Sequence, residues 1–141
     1  MLFRSPQSYV RQRQVMIQRI QSLYLLFAII LIAIVFLALK PVFPQQIGYV
    51  GLVILAGITS AVSLFLFKQR RKQMKLICAA VIELCAAIVV FCIALYVQKD
   101  TISWSSCSVI VLSVVAILFN YLAWRAVRRD EMKVKSADRI R

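Results

Sequence analysis

Apolar residues fall in long unbroken blocks, and the polar ones crowd between them. Residues 23–39 (LYLLFAIILIAIVFLAL) are consecutively apolar. Extending back to Ile20 gives about 20 residues, enough to cross ~30 Å of hydrocarbon at ~1.5 Å per helical residue. Further runs cover 47–67, 76–97 and about 105–124, the third broken only by Glu83. None alternates apolar with polar positions, as a membrane barrel strand of about 10 residues must. A backbone in lipid has to satisfy its own hydrogen bonds, so the runs predict helices spanning 20–39, 47–67, 76–97 and 105–124. Pro41 and Pro44 in KPVFPQQ end the first, and KQRRKQMK and QKDTISW make the later turns. Turns this short return each helix beside its predecessor. The expected fold is all-α: a polytopic membrane protein with four transmembrane helices in an antiparallel up-down bundle.

Composition narrows the class without changing that picture. The chain has 141 residues, 62% of them apolar, no His and a net charge of +13. Soluble domains sit nearer 45–50% apolar. Disordered chains lack this apolar content, and disulfide-stapled secreted domains carry more cysteine. Without His there is no His-ligated metal site and no Ser–His or Cys–His catalysis. No segment outside the runs can bury a core of its own. The organisation is therefore a basic N-terminal extension over 1–15, a membrane domain over 16–127, and a basic tail over 128–141.

Charge sets sidedness. Sixteen of the eighteen Lys and Arg lie in the two tails and the 68–75 turn; only Lys40 and Lys99 lie on the other side. The positive-inside bias puts both termini in the cytoplasm, in a bacterial inner membrane. Tyr49, Tyr96 and Trp104 fall at outer helix ends, and Tyr24, Tyr121 and Trp124 at inner ends, as interfacial aromatics do. The first run is longer than a signal-peptide core and no A-x-A-like site follows Leu39, so it reads as a retained anchor.

Glu83 is the costliest residue in the spans, since a carboxylate in lipid must face the bundle or water. It lies roughly 10 Å into its helix, at a depth similar to Ser60, with Ser63 and Asn120 nearer the ends. These four form a candidate intramembrane polar cluster in the inner half of the bilayer. It could serve a small transporter, with Glu83 as a proton or cation site, or it could simply pack. Cys78, Cys85 and Cys92 recur every seven residues on one stripe. Neighbours on it stand ~10 Å apart, too far to share one metal ion, so the stripe reads as a packing seam. Gly57 with Ala61, Ala56 with Ser60, and the alanines 79, 80, 86 and 87 would let helices approach closely, within one bundle or in a homo-oligomer. No catalytic, cofactor-binding or metal-ligating set emerges, so neither an enzyme nor a cofactor is expected. The tail RAVRRDEMKVKSADRIR reads as a helical continuation, supported by Glu131 and Lys135 at i,i+4. Its charge suits a lipid bilayer with anionic headgroups. It lacks the interleaved aromatics of a nucleic-acid binder, so no specific nucleic acid is expected.

MIQRIQSLYLL at Met16–Leu26, LFKQRRKQMKL between the second and third runs, and the tail from Arg125 to Arg141 together resemble a family of small four-helix inner-membrane proteins of Bacteroidetes, domain of unknown function 4293. The resemblance spans Met16 to Arg141 and implies no activity. The residues that carry it include Gln18, Arg19 and Gln21 near the first helix, then Arg125, Arg128, Asp130, Glu131, Asp138 and Arg139 in the tail. All fall on the cytoplasmic side, which suggests a docking face. The leading expectation is a non-enzymatic interaction or accessory subunit that meets another membrane or cytoplasmic protein. The alternative is the transporter built around Glu83.

Overall fold

The computed structural model describes residues 6–38, 47–66, 68–98 and 104–139, with side chains described from Arg19 onward except at 98 and 138. Pro41, Pro44, Lys40 and Lys99 lie outside the described residues. Four helices account for almost everything described: α1 (Pro6–Ala38), α2 (Ile47–Phe65), α3 (Arg70–Gln98) and α4 (Trp104–Asp138). Each is long and apolar enough to cross a membrane. Helix α1 is described from Pro6. It takes in most of the residues read as an N-terminal extension. Helix α4 runs on through the basic tail.

Each helix touches its two chain neighbours or, for α1 and α4, one another, so the four close into a ring. The α2–α3 and α1–α4 contacts are the most extensive. Along α1 the contacts pass from Gln21 on to Phe27, while on α4 they pass back from Ala126 to Phe119. Tyr49 at the start of α2 meets Phe91 near the end of α3.

The buried positions explain the packing. They are Gln21, Leu25, Ala28, Ile32 and Val35 on α1, and Gln73, Ile77, Ala80, Leu84, Ala87 and Phe91 on α3. On α4 they are Ser106, Val109, Ser113, Ala116, Asn120, Ala123, Val127 and Asp130. Every step is three or four residues in alternation, the repeat of a coiled-coil seam. Helix α2 follows it through Tyr49, Val53, Ala56, Ser60 and Ser63, with Val50 added. The outward faces are as apolar as the core, as lipid requires: Ile82, Val89, Ile93 and Val111 are all exposed.

Two apolar clusters fill the interior. One holds Ile32, Val35, Tyr49, Leu84 and Phe91; the other holds Leu25, Ile77, Ala123 and Val127. Ser60, Ser63 and Asn120 lie between them along their helices, with Ala28 and Ala80 on the other two. Small residues set the helix spacing here. A Cβ on Gly57 would stand 3.4 Å from Ile32 Cγ2, so α1 and α2 are already in ordinary contact.

Tyr49 departs from the interfacial role its position suggests. It is buried in the bundle, its ring 4.9 Å from that of Phe91 and tilted by 41°, and its hydroxyl is within 3.3 Å of Ser113 Oγ. Its hydroxyl has found a partner inside, which lets an aromatic leave the interface. Tyr96 and Trp104 do stand outward. The three thiols also differ from expectation. Cys78, Cys85 and Cys92 share one stripe, but it faces away from the bundle. The seven-residue repeat that packs α3 runs through Ile77, Leu84 and Phe91, one residue before each Cys.

Candidate functional site: a polar seam and a charged end

Of the four residues expected to form an intramembrane cluster, three share the interior. Ser60, Ser63 and Asn120 are fully buried. Ser63 Oγ donates to Ser60 O at 2.7 Å, and Asn120 Nδ2 donates to Ala116 O at 3.1 Å. Each satisfies its donor on its own helix, the usual recourse of a short polar side chain in lipid. Ser60 Oγ and Asn120 Oδ1 have no hydrogen-bond partner among the described residues.

Glu83 stands apart from them. It is half-buried, and Thr59 Oγ1 donates to its Oε2 at 2.8 Å. The same hydroxyl lies 3.1 Å from the carbonyls of Leu55 and Ala56. Thr59 is thus the residue missing from the sequence reading. It lies one position from Ser60 and turns toward α3, where an acid at the matching depth needs a donor. The seam also includes Ser106 and Ser113, which sequence reasoning passed over. Their signal was present: 106, 113 and 120 are polar and spaced by seven, and Ser113 and Asn120 are the only Ser, Thr, Asn or charged residues between Val109 and Trp124.

The charged end brings together the start of α3 and the far part of α4. Helix α3 opens on Arg70, Arg71 and Lys72 with no acid in its first turn. Cations at a helix N-terminus oppose the positive end of its dipole. Helix α4 supplies the missing acids. Arg70 Nη1 meets Asp130 Oδ2 at 3.0 Å, and Arg71 Nε meets Glu131 Oε1 at 3.7 Å. Lys135 reaches Glu131 at 3.3 Å, the i,i+4 pair expected from the sequence. Gln21 Nε2 donates to Ala126 O at 3.3 Å, tying α1 to α4.

These contacts divide the residues of the expected docking face. Gln21 and Asp130 are buried and Glu131 is half-buried, so they hold helices to one another. Arg19, Arg125, Arg128 and Arg139 are exposed. Arg128 lies over the Trp124 ring at 5.1 Å, and Trp124 stacks on Tyr121. The side chains of Gln18 and Asp138 lie outside the described residues.

No curated protein and no solved structure matches the chain. A model of the family described as "Domain of unknown function (DUF4293)" matches residues 39–140. That stretch includes the α2–α3 turn and all but the last residue of the tail, whereas MIQRIQSLYLL at Met16–Leu26 precedes it. The match covers well over half of the sequence, and the chain belongs to the DUF4293 family.

Proposed function

We propose that the protein is a non-enzymatic interaction or accessory subunit of a bacterial inner membrane. In this reading the helices form an up-down bundle with both termini in the cytoplasm, and the charged end lies against anionic headgroups and docks another protein. One observation carries the reading. Helix α4 has 35 residues, which at ~1.5 Å each reach roughly 50 Å, well beyond ~30 Å of hydrocarbon. Its far part is a basic helix with Met132 and Val134 exposed beside Lys133 and Lys135. Such a helix suits a partner carrying acidic groups.

The test is purification from mild detergent. A partner should co-purify at fixed stoichiometry and be lost when residues 128–141 are removed, with the truncated chain still in the membrane and still helical. No partner with the full chain, or unchanged recovery after truncation, would refute the docking role. Reporter fusions at both termini, active only in the cytoplasm, test the orientation.

The transporter alternative leans on Glu83. Against it, Glu83 bonds to Thr59 rather than joining Ser60, Ser63 and Asn120. Proteoliposome flux that disappears in Glu83→Gln would restore it.

A further inference from the structure

The acids and cations of the charged end are unevenly shared. Asp130 and Glu131 face α3, where they take Arg70 and Arg71. Arg125, Arg129 and Lys133 fall on another side of α4, four residues apart in turn. They form a stripe about 12 Å long by helical rise. None has a carboxylate partner among the described residues.

This stripe edges a groove of about 250 Å³ between α1 and α4. Toward the bundle the lining turns apolar, through Ile20, Tyr24 and Leu122. Ile20 and Leu122 are both exposed there. Asp130 also borders the groove, but its carboxylate is only 6% exposed and is held by Arg70. The groove thus has a cationic rim above an apolar floor, at the depth where the apolar spans give way to charge.

We propose that this groove binds one anionic phospholipid, its phosphate held by Arg125, Arg129 and Lys133 and its chains laid over Ile20, Tyr24 and Leu122. The proposal rests on the charged end lying at a lipid surface; it does not depend on a protein partner. Each feature selects for that occupant. Guanidinium groups offer paired donors to phosphate oxygens. A zwitterionic lipid carries its own ammonium, which offsets the attraction of the rim. A free phosphate would use the rim and leave the apolar floor uncovered. Arg125 and Arg129 are one helical turn apart, so both can reach one phosphate.

Native mass spectrometry of the full-length protein tests it. Phosphatidylglycerol, phosphatidylcholine and glycerol 3-phosphate are titrated separately. Phosphatidylglycerol should saturate at one retained molecule per chain, with phosphatidylcholine at least about tenfold weaker. Each surface cation contributes about fivefold, so Arg125→Gln/Arg129→Gln should weaken phosphatidylglycerol roughly 30-fold. Lys68→Gln/Lys72→Gln removes the same charge from the same end but from outside the groove lining, where screening weakens it, and should change binding by no more than about threefold. Arg125→Lys/Arg129→Lys keeps the charge but loses the paired donors, and should fall between the parent and the Gln variant.

Equal losses in the two charge-removing variants would overturn the site in favour of diffuse attraction. Glycerol 3-phosphate binding as tightly as the lipid would overturn it in favour of a free-phosphate site. Absence of saturation would overturn it outright. Both arginines are exposed, so helicity and elution should match the parent. Should the double variant fail to fold, Lys133→Gln must still lose about fivefold, or the proposal fails. The docking reading is separable: partner capture that survives Arg125→Gln/Arg129→Gln leaves it standing whatever the lipid does.

Discussion

The contact between Arg70 and Asp130 should be the main polar tie at the charged end. Asp130 Oδ2 accepts from Arg70 Nη1 at 3.0 Å; the carboxylate is 6% exposed and the guanidinium 27%. An exposed ion pair contributes about 0–1 kcal/mol, and removing one partner of a fully buried pair costs about 3–5 kcal/mol. This pair falls between the limits, because water reaches the arginine but hardly reaches the acid. Asp130→Asn keeps size and shape while leaving Arg70 without its counter-charge. It also removes an anion from the N-terminus of α3, a contribution of about 0.3–1 kcal/mol. The expected total is about 2 kcal/mol.

A double-mutant cycle isolates the pair. Asp130→Asn, Arg70→Gln and the combination are compared by unfolding in mixed micelles with rising SDS, followed by far-UV circular dichroism. Coupling of about 1–2 kcal/mol is expected, and raising the salt concentration should reduce it only slightly, since a buried acid is poorly screened. The same cycle on Arg71 and Glu131 serves as a comparison. That pair is 3.7 Å apart and its arginine is 83% exposed, so its coupling should stay below about 0.5 kcal/mol. If the Arg70 cycle is additive within about 0.3–0.5 kcal/mol, the contact does not couple α3 to α4 and the reasoning fails.

Three further outcomes follow from the interior and the lipid face. Tyr49→Phe removes the bond to Ser113 while keeping the ring on Phe91, and should cost about 0.6–1.5 kcal/mol in the same unfolding assay. Ala116→Leu adds volume to a fully buried position and should cost about 1–3 kcal/mol, with a lower thermal midpoint in detergent. Replacing Cys78, Cys85 and Cys92 together with Ala should change stability by no more than about 0.5 kcal/mol per site, because all three face outward; a larger loss would place them in a helix contact.

The span map was legible because lipid imposes it. Runs of apolar residues near 20 in length have one solution in a bilayer, and residues 23–39 could hardly be anything but helix. The acids of α4 were harder. Asp130 and Glu131 look like part of a solvated basic tail, and their ion pairs depend on where the α2–α3 turn delivers Arg70 and Arg71. That is a tertiary fact, some sixty residues away in sequence. Gln21 was hidden for the same reason: nothing near it announces that Ala126 O lies within its reach. Glu83 was found by its cost, but its partner was misplaced by one position. A step of one residue turns a helix by about 100°, enough to move from the core to the neighbouring interface.

The thiol stripe shows why a seven-residue repeat alone cannot choose a face. In a soluble helix the apolar face turns inward, and polarity names the outside. In this bundle lipid and core are equally apolar, so that signal vanishes, and two stripes of α3 one residue apart have the same period. What distinguishes them is size and partner chemistry. The buried stripes alternate large residues with Ala or Ser, as at Ile77, Ala80, Leu84, Ala87 and Phe91. On α4 the inward stripe is the one holding Ser106, Ser113 and Asn120. Polar residues mark the inside here because water is absent outside; a hydroxyl turned to lipid must bond back to its own helix, whereas one turned inward can also meet a Tyr49. The outward Cys repeat then has no packing to explain, and the inward polar repeat gains a structural purpose. A polar residue at a core position penalises every register that leaves it facing lipid or an unmatched layer. Asn120 and Ser113 therefore act chiefly on which way α4 faces and how far it slides, more than on how tightly the bundle holds.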